Sequence, residues 1–242
     1  VVFWGGVHPT IAPETVLELD VVDYVLRGEG EETCVNFLDC VTAGGDISDV
    51  NGVSWKDDDG RFVHNPDRAF MNVDDVSLDW DLIDGEQYII PRGEGLPSLA
   101  FITSRGCPFR CQFCWDVIVH DRTFRYWSYD HLIEELEKLK RFDIDYIEFM
   151  DDNIGSVKNH LFRVCDYLKE NDIKWFSSLR SDFLTRPGVI ENLHNLDNCY
   201  IGVESGSQRI LDLIQKDQKT ESITEAARVL KQHGTTGNFS WI

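Results

Sequence analysis

Apolar and polar positions follow two regimes along the chain. Val1-Val2-Phe3-Trp4 is a continuous apolar run that stops at Gly5-Gly6, as a buried parallel strand does on meeting a loop. Pro13 suits the first turn of a helix with Val16, Leu17 and Leu19 inward, and residues 21–26 read as the next strand. After Gly28-Glu29-Gly30-Glu31, a helix carries Cys34, Phe37, Leu38 and Val41 on one face and stops at Gly44-Gly45. Strand, helix, strand, helix is half of a doubly wound domain. Residues 50–56 and 61–65 alternate around Asp58-Asp59-Gly60, a hairpin signal. Residues 66–97 keep no period and carry Pro66, Pro91, Gly93, Gly95 and Pro97, which predicts an irregular linker held down by Trp80, Leu82 and Ile83.

From Leu99 the pattern becomes a regular alternation of strands and helices. Residues 99–103 form a strand; Ser128 caps a helix with Leu132, Ile133, Leu136 and Leu139 on one face; residues 146–150 return as a strand. Ser156 caps the next helix, with Leu161, Phe162, Cys165 and Leu168 inward, followed by an extended segment at 173–178. Pro187 opens a third helix with Val189, Ile190, Leu193 and Leu196, leading to a strand at 200–203. Two more helices, 208–214 and 221–233, the second capped by Thr220 and stopped by Gly234, precede a strand at Phe239. Serial units of this kind build a parallel barrel. The organisation expected is therefore residues 1–46, a hairpin and linker over 47–97, and a barrel portion over 98–242.

Composition narrows the function. With 43 acidic against 23 basic residues and a net charge of −20, the chain lacks the clustered cations that grip a phosphate backbone, so nucleic acid is not expected as a partner. No apolar run is long enough for a bilayer span. Seven cysteines without a visible leader fit a reducing cytoplasm, and Cys34, Cys40, Cys165 and Cys199 lie on apolar faces where core packing explains them. The chain starts and stops on apolar runs with no initiator methionine, so it is expected to be a fragment cut within strands.

The chemistry concentrates in Ser104-Arg105-Gly106-Cys107-Pro108-Phe109-Arg110-Cys111-Gln112-Phe113-Cys114. Three thiols on one loop, with no fourth cysteine nearby, can hold three corners of a cubane iron–sulfur cluster and leave one iron open to a small molecule. A zinc site completed by His120 is the alternative, although zinc shells usually pair their ligands on two knuckles. In a parallel barrel the active site lies at the carboxyl ends of the strands. Those ends carry Asp151-Asp152-Asn153, Arg180-Ser181 and Glu204-Ser205-Gly206, all polar exits from apolar strands. Capping of the following helices is the plain alternative for the carboxylates.

Cys107-x-x-x-Cys111-x-x-Cys114, with Phe113 before the last cysteine, resembles the signature of radical S-adenosylmethionine enzymes. The resemblance implies an α/β fold: a partial parallel (βα) barrel, preceded by the last part of a doubly wound, Rossmann-like cobalamin-binding domain. This second part rests on Gly5-Gly6-Val7-His8-Pro9-Thr10, Val22-Asp23-Tyr24-Val25 and Gly28-Glu29-Gly30-Glu31, which are similar to the last third of that domain. Its earlier Asp-x-His-x-x-Gly stretch would lie before Val1, and His8 is a loop histidine rather than a ligand.

What the family implies is a 4Fe-4S cluster on Cys107, Cys111 and Cys114, with S-adenosylmethionine chelated at the open iron and cleaved reductively to a 5′-deoxyadenosyl radical. Asp151 or Asp152 would meet the ligand's amino group, Glu204 and Ser205 the methionyl or ribose part, and Phe113 the adenine, or only the core; Arg180, by its own chemistry at a strand exit, can meet a carboxylate in a bidentate pair. Gly5 and Gly6 would face cobalamin. No side chain is assigned a catalytic role. Methyl transfer to an unactivated centre of a small-molecule or lipid-like natural-product substrate follows, with an electron donor such as flavodoxin or ferredoxin. The alternatives are a cobalamin-linked cyclase or rearrangement enzyme, a radical enzyme modifying transfer RNA, and an iron–sulfur electron carrier or sensor.

Overall fold

The computed structural model describes residues 1–92 and 95–242, so Gly93 of the expected linker lies outside the described residues. The chain divides into two compact units, Val1–Asn72 and Val73–Ile242.

In the first unit, β1 (Phe3–Gly5) runs parallel to β2 (Tyr24–Leu26) across the short helices α1 (Val7–Ile11) and α2 (Pro13–Leu17). The helix α3 (Gly30–Ala43) starts with Glu31 and Glu32 in its first turn, where they complement the positive end of the helix dipole, and ends on Gly44 in the left-handed region (φ 66°). The hairpin of β3 (Val53–Lys56) and β4 (Phe62–His64) then extends the same sheet, in order β1-β2-β3-β4. Phe37 is the anchor, fully buried, with Phe3 and Tyr24 packed edge-on at 5.2 and 5.1 Å.

Three expectations here are corrected. The strand at the start is parallel but not buried: Phe3 and Trp4 are 38% and 50% exposed, because β1 is an edge with a strand on one side. Leu38 points to solvent, since the inward stripe of α3 runs through Thr33 and Phe37; Leu19 lies past the end of α2 and is exposed too. His8 sits within α1, with Nε2 3.1 Å from Thr15 Oγ1.

The second unit is a curled mixed sheet backed by helices, a half-barrel. Its strands are β5 (Ile90–Arg92), β6 (Leu96–Phe101), β9 (Tyr146–Phe149), β10 (Lys174–Ser178), β11 (Leu196–Glu204) and β12 (Thr236–Trp241). Their order is β12-β11-β10-β9-β6-β5, parallel throughout except for β5. A short ribbon of β7 (Ser104–Arg105) and β8 (Arg125–Tyr126) closes the cysteine loop, which includes α4 (Asp116–Val119). The backing helices are α5 (Tyr129–Leu139), α6 (Lys158–Glu170), α7 (Ser181–Leu184), α8 (Gln208–Leu213) and α9 (Thr220–His233). Leu132, Leu136, Leu161, Cys165, Leu168, Ile147, Phe149 and Trp175 fill the layer between helices and sheet. No helix among the described residues is long and apolar enough to cross a membrane.

Helix ends and connections also depart from expectation. Ser128 does cap α5, accepting from the His131 amide, but Ser156 lies in a 3-10 turn before α6, and Thr220 is the first residue of α9 with its hydroxyl turned to Glu221. The helix expected from Pro187 is a single 3-10 turn, Ile190–Asn192, because Gly188 and Asn195 both take positive φ and break the register. Val189 and Leu193 are still fully buried, so their helical spacing came from core contacts made by a loop. Of the three residues expected to pin the segment before the barrel, only Trp80 does so, 8% exposed and edge-on to Phe142 at 5.1 Å; Leu82 is 81% exposed. The work is shared instead by buried Glu135 of α5, which accepts from Ser77 Oγ at 2.7 Å.

His160, in the first turn of α6, is 5% exposed, its Nε2 has no hydrogen-bond partner, and its ring lies 4.7 Å from that of Tyr126. Burial, then the charge of Arg163, holds its pKa down at about 4, against 6.5 ordinarily. The unfolded chain therefore takes up this proton first as the pH falls. Its contribution is intact above about pH 6.5 and lost between there and about pH 4, by ~3 kcal/mol. Urea unfolding of His160→Phe is expected to lack that loss; equal pH slopes for the two proteins would refute it.

Candidate active site

The cysteine loop leaves β6 through Thr103 and Ser104, and three consecutive residues at the exit of β9 hold its beginning. Asp151 Oδ1 accepts from the Thr103 amide (3.1 Å), from Thr103 Oγ1 (2.9 Å) and from Ser104 Oγ. Asp152 Oδ2 accepts from the Gly106 amide at 2.9 Å, and Asn153 Nδ2 donates to Cys107 Sγ at 3.6 Å. The parallel pairing of β6 with β9, which sets Phe101 against Phe149, aligns these contacts in turn. Gly106 (φ 82°) is required at the bend: a Cβ there would lie 2.3 Å from the Thr123 carbonyl oxygen.

The far side of the loop is clamped by the turn between α8 and α9, where Gln215 and Asp217 take positive φ. The Gln112 amide donates to Ile214 O at 3.0 Å, and Arg110 pairs with both oxygens of Asp217 at 2.9 and 3.1 Å. Arg180 donates to the carbonyls of Lys216 (2.9 Å) and Asp217 (3.1 Å) and lies 3.6 Å over the ring of Phe109.

These contacts shape a cavity of about 420 Å³ whose wall includes Cys107, Cys111 and Cys114, with Phe113, Asp152, Asn153, Arg180, Gly202 and Lys216. A second cavity of about 380 Å³, the half-barrel's interior, shares Ser178 and Tyr200 with it and carries the Arg92–Glu148 pair (2.6 Å), Asn198 and Asn238. Lys216 was missed from the sequence. It lines the first cavity and donates to Glu204 Oε1 at 2.7 Å, with its Nζ 5.7 Å from the centre of the Phe113 ring. Gly202 makes room for this pair, since a Cβ there would meet Glu204 Oε1 at 2.3 Å and Lys216 Nζ at 2.6 Å. Glu204 itself takes φ 60°, an uncommon conformation for a residue with a side chain.

The structure thus gathers Phe113, Asp152 and Arg180 around the three thiols, with Glu204 reaching the wall through Lys216. Asp151 is 4% exposed, engaged with the loop's stem and on the interior-cavity side, while Ser205 Oγ accepts from the Ser207 amide outside both cavities. Gly5 and Gly6 belong to the first unit. There the Gly6 carbonyl accepts from Thr10 Oγ1 (2.7 Å), which in turn accepts from the Gly28 amide (2.9 Å), so the two glycine stretches meet through one threonine.

Burial pushes the Cys107 and Cys114 thiols up, so coordination to iron is what would hold them as thiolates. Burial, then the charge of Asp152, pushes Asp116 up to about 7; burial pushes Asp151 up to about 6 against its hydrogen bonds. His120, the expected fourth ligand of a zinc site, groups instead with Asp116 and Asp152, one ligand atom of each lying within 4.8 Å of the others. The Asn153 amide aimed at Cys107 Sγ is the kind of contact that tunes an iron–sulfur cluster.

Known proteins resemble this chain in sequence and fold. An uncharacterized methyltransferase of Pyrococcus horikoshii is 32% identical over 248 residues, covering 100% of this chain and 53% of its own length. An anaerobic magnesium-protoporphyrin IX monomethyl ester cyclase of Rubrivivax gelatinosus is 28% identical, over 98% of this chain and 44% of its own. The chain spans about half the length of these relatives. Among solved structures, the cobalamin-dependent S-adenosylmethionine radical enzyme OxsB with aqua-cobalamin bound superposes on 100% of this chain and 36% of its own, with a TM-score of 0.81 and 26% identity. Residues 101–242, which hold the cysteine loop, its clamp and both cavities' parallel strands, match the radical SAM superfamily, and the chain belongs to that family.

Proposed function

We propose that this protein cleaves S-adenosylmethionine reductively at a 4Fe-4S cluster on Cys107, Cys111 and Cys114, and uses cobalamin bound through the unit containing Gly5 and Gly6 to methylate an unactivated centre of a small-molecule or lipid-like substrate. The observation that carries this reading is the single cavity in which three thiols meet Asp152, Arg180 and Lys216, joined to the half-barrel's interior. When bound, the cluster and S-adenosylmethionine supply a radical that takes a hydrogen atom from the substrate. The chain's own residues bind and orient. Asp152 and the Glu204–Lys216 pair offer opposite charges to the amino and carboxylate ends of an amino-acid moiety. Phe113, 47% exposed, offers a ring for adenine. Arg180, engaged with carbonyls and Asp182, keeps the loop in place. The likeness to OxsB supports cobalamin, and the methyltransferase of P. horikoshii supports methyl transfer. The electron donor is a flavodoxin or ferredoxin in the cytoplasm, and nucleic acid is not a substrate, in keeping with the net charge of −20.

Ring formation is the second reading, favoured by the likeness to the R. gelatinosus cyclase. Purification under anaerobic conditions with hydroxocobalamin, followed by methyl-labelled S-adenosylmethionine and a reductant, separates the two. Methyl transfer gives 5′-deoxyadenosine and labelled cobalamin; 5′-deoxyadenosine without label on cobalamin selects ring formation, and failure to retain cobalamin removes its role. Glu204→Gln and Asp152→Asn are each expected to keep the cluster and weaken S-adenosylmethionine binding by roughly tenfold, the worth of one charge-assisted hydrogen bond. An unaltered ligand titration of the cluster's magnetic resonance signal for both variants removes them from the site.

A further inference from the structure

Beside the cysteine loop, two carboxylates and an imidazole converge. One ligand atom each from Asp116, His120 and Asp152 lie within 4.8 Å of one another, a grouping not repeated among the described histidine, cysteine and acidic residues. Asp116 opens α4 and His120 ends it, so the helix turns both toward the exit of β9.

Asp116 is 2% exposed, and neither of its oxygens accepts a hydrogen bond from a described residue; the Cys107 amide faces it but misses hydrogen-bond geometry. An ionised carboxylate buried in this way is strongly disfavoured unless a cation or a set of donors meets it. What faces Asp116 is a second carboxylate. Asp152 has the Gly106 amide on Oδ2, and His120, hydrogen-bonded through Nδ1 to an Arg125 guanidinium nitrogen at 3.4 Å, has Nε2 3.8 Å from Asp116 Oδ1.

We propose that Asp116, His120 and Asp152 form a site for one divalent transition-metal ion, separate from the iron–sulfur cluster, which ties the end of the cysteine loop to the exit of β9. Two carboxylates balance the ion's charge, and the mixture of carboxylate with imidazole selects Mn²⁺, Fe²⁺ or Zn²⁺ over Mg²⁺ and Ca²⁺, which prefer oxygen alone. Bonds of about 2.0–2.2 Å set neighbouring donors roughly 3.4 Å apart, so binding draws the three atoms inward from their present spread. The rival way to satisfy facing carboxylates is a proton shared between them.

Mn²⁺ is the probe that separates the two. The protein is loaded anaerobically with its cluster, which occupies the thiols and is diamagnetic when oxidised. It is then titrated with Mn²⁺ in excess Mg²⁺, which covers the acidic surface. Electron paramagnetic resonance should find one bound Mn²⁺ per chain, with spin-echo modulation from one imidazole nitrogen. Asp116→Asn and His120→Gln should each weaken binding by at least roughly tenfold with iron and sulfide content unchanged. No binding in excess Mg²⁺ overturns the site in favour of the shared proton. Binding equal in both variants, or bound Mn²⁺ without nitrogen coupling, overturns it in favour of surface carboxylates. Should neither variant retain its cluster, the nitrogen coupling in the unaltered protein decides alone.

Discussion

Alanine at Cys107, Cys111 or Cys114 is expected to strip the protein of its cluster, leaving less than about a tenth of the four irons and four sulfides per chain that anaerobic reconstitution places in the unaltered protein. The expectation follows from geometry as much as from spacing. All three cysteines line the same cavity, and Cys165 and Cys199, fully buried in the helix–sheet layer, are not part of its wall. Loss of one thiolate leaves two, too few to hold a cubane against dissociation, so the effect is all or none. The fold should survive, because the loop contributes little to the main core and is held by its own ribbon and clamp. Far-ultraviolet circular dichroism checks the fold, and iron and sulfide assays check the cluster. Stoichiometric zinc in the unaltered protein, or a full cluster in any of the three variants, would defeat the assignment.

Gly106→Ala should be nearly as damaging without touching a ligand. The residue takes φ 82°, where an added Cβ carries a conformational cost of about 1 kcal/mol. The larger cost is steric: that Cβ would sit 2.3 Å from Thr123 O and 3.0 Å from His120 Cβ. The first of these is backbone, so no rotamer change relieves it. Overpacking of this kind costs roughly 1–3 kcal/mol, and the combined loss of about 3 kcal/mol falls on the loop rather than on the whole unit. Opening the bend also pulls the Gly106 amide from Asp152 and shifts Cys107, the next residue. Cluster content should fall several-fold while urea unfolding of the barrel core moves little. A variant that reconstitutes fully would show that the loop relaxes around the alanine.

The features legible in the sequence were those set by local order. Three thiols at short gaps point to one loop, and all three line one cavity, together with Asp152, Asn153 and Arg180 from the strand exits read as its rim. What each exit residue does was not legible, because it depends on register. Asp151 and Asp152 are neighbours in the chain, yet one holds the stem at Thr103 and Ser104 and the other reaches Gly106, a division decided by how β6 pairs with β9. Lys216 was hidden for a different reason. It lies in a turn between two positive-φ residues, where no periodicity operates, and its importance appears only when β11 brings Glu204 to within 2.7 Å. The false helix after Pro187 shows the converse failure. Val189 and Leu193 are spaced as on a helix face and are indeed buried, but Gly188 and Asn195 let an irregular chain supply the same contacts.

The clamp on the cysteine loop also imposes an order on the making of the protein. Arg110 and Asp217, the two halves of its ion pair, are 107 positions apart, and the Gln112 amide waits for the carbonyl of Ile214. A ribosome adding about 5–20 residues each second exposes the three thiols several seconds or more before it supplies Asp217. During that interval the thiols form a floppy, unpaired chelator that any soft metal ion in the cell can enter. A cluster held on the clamped loop therefore depends on a segment that binds no iron and is made later than the thiols.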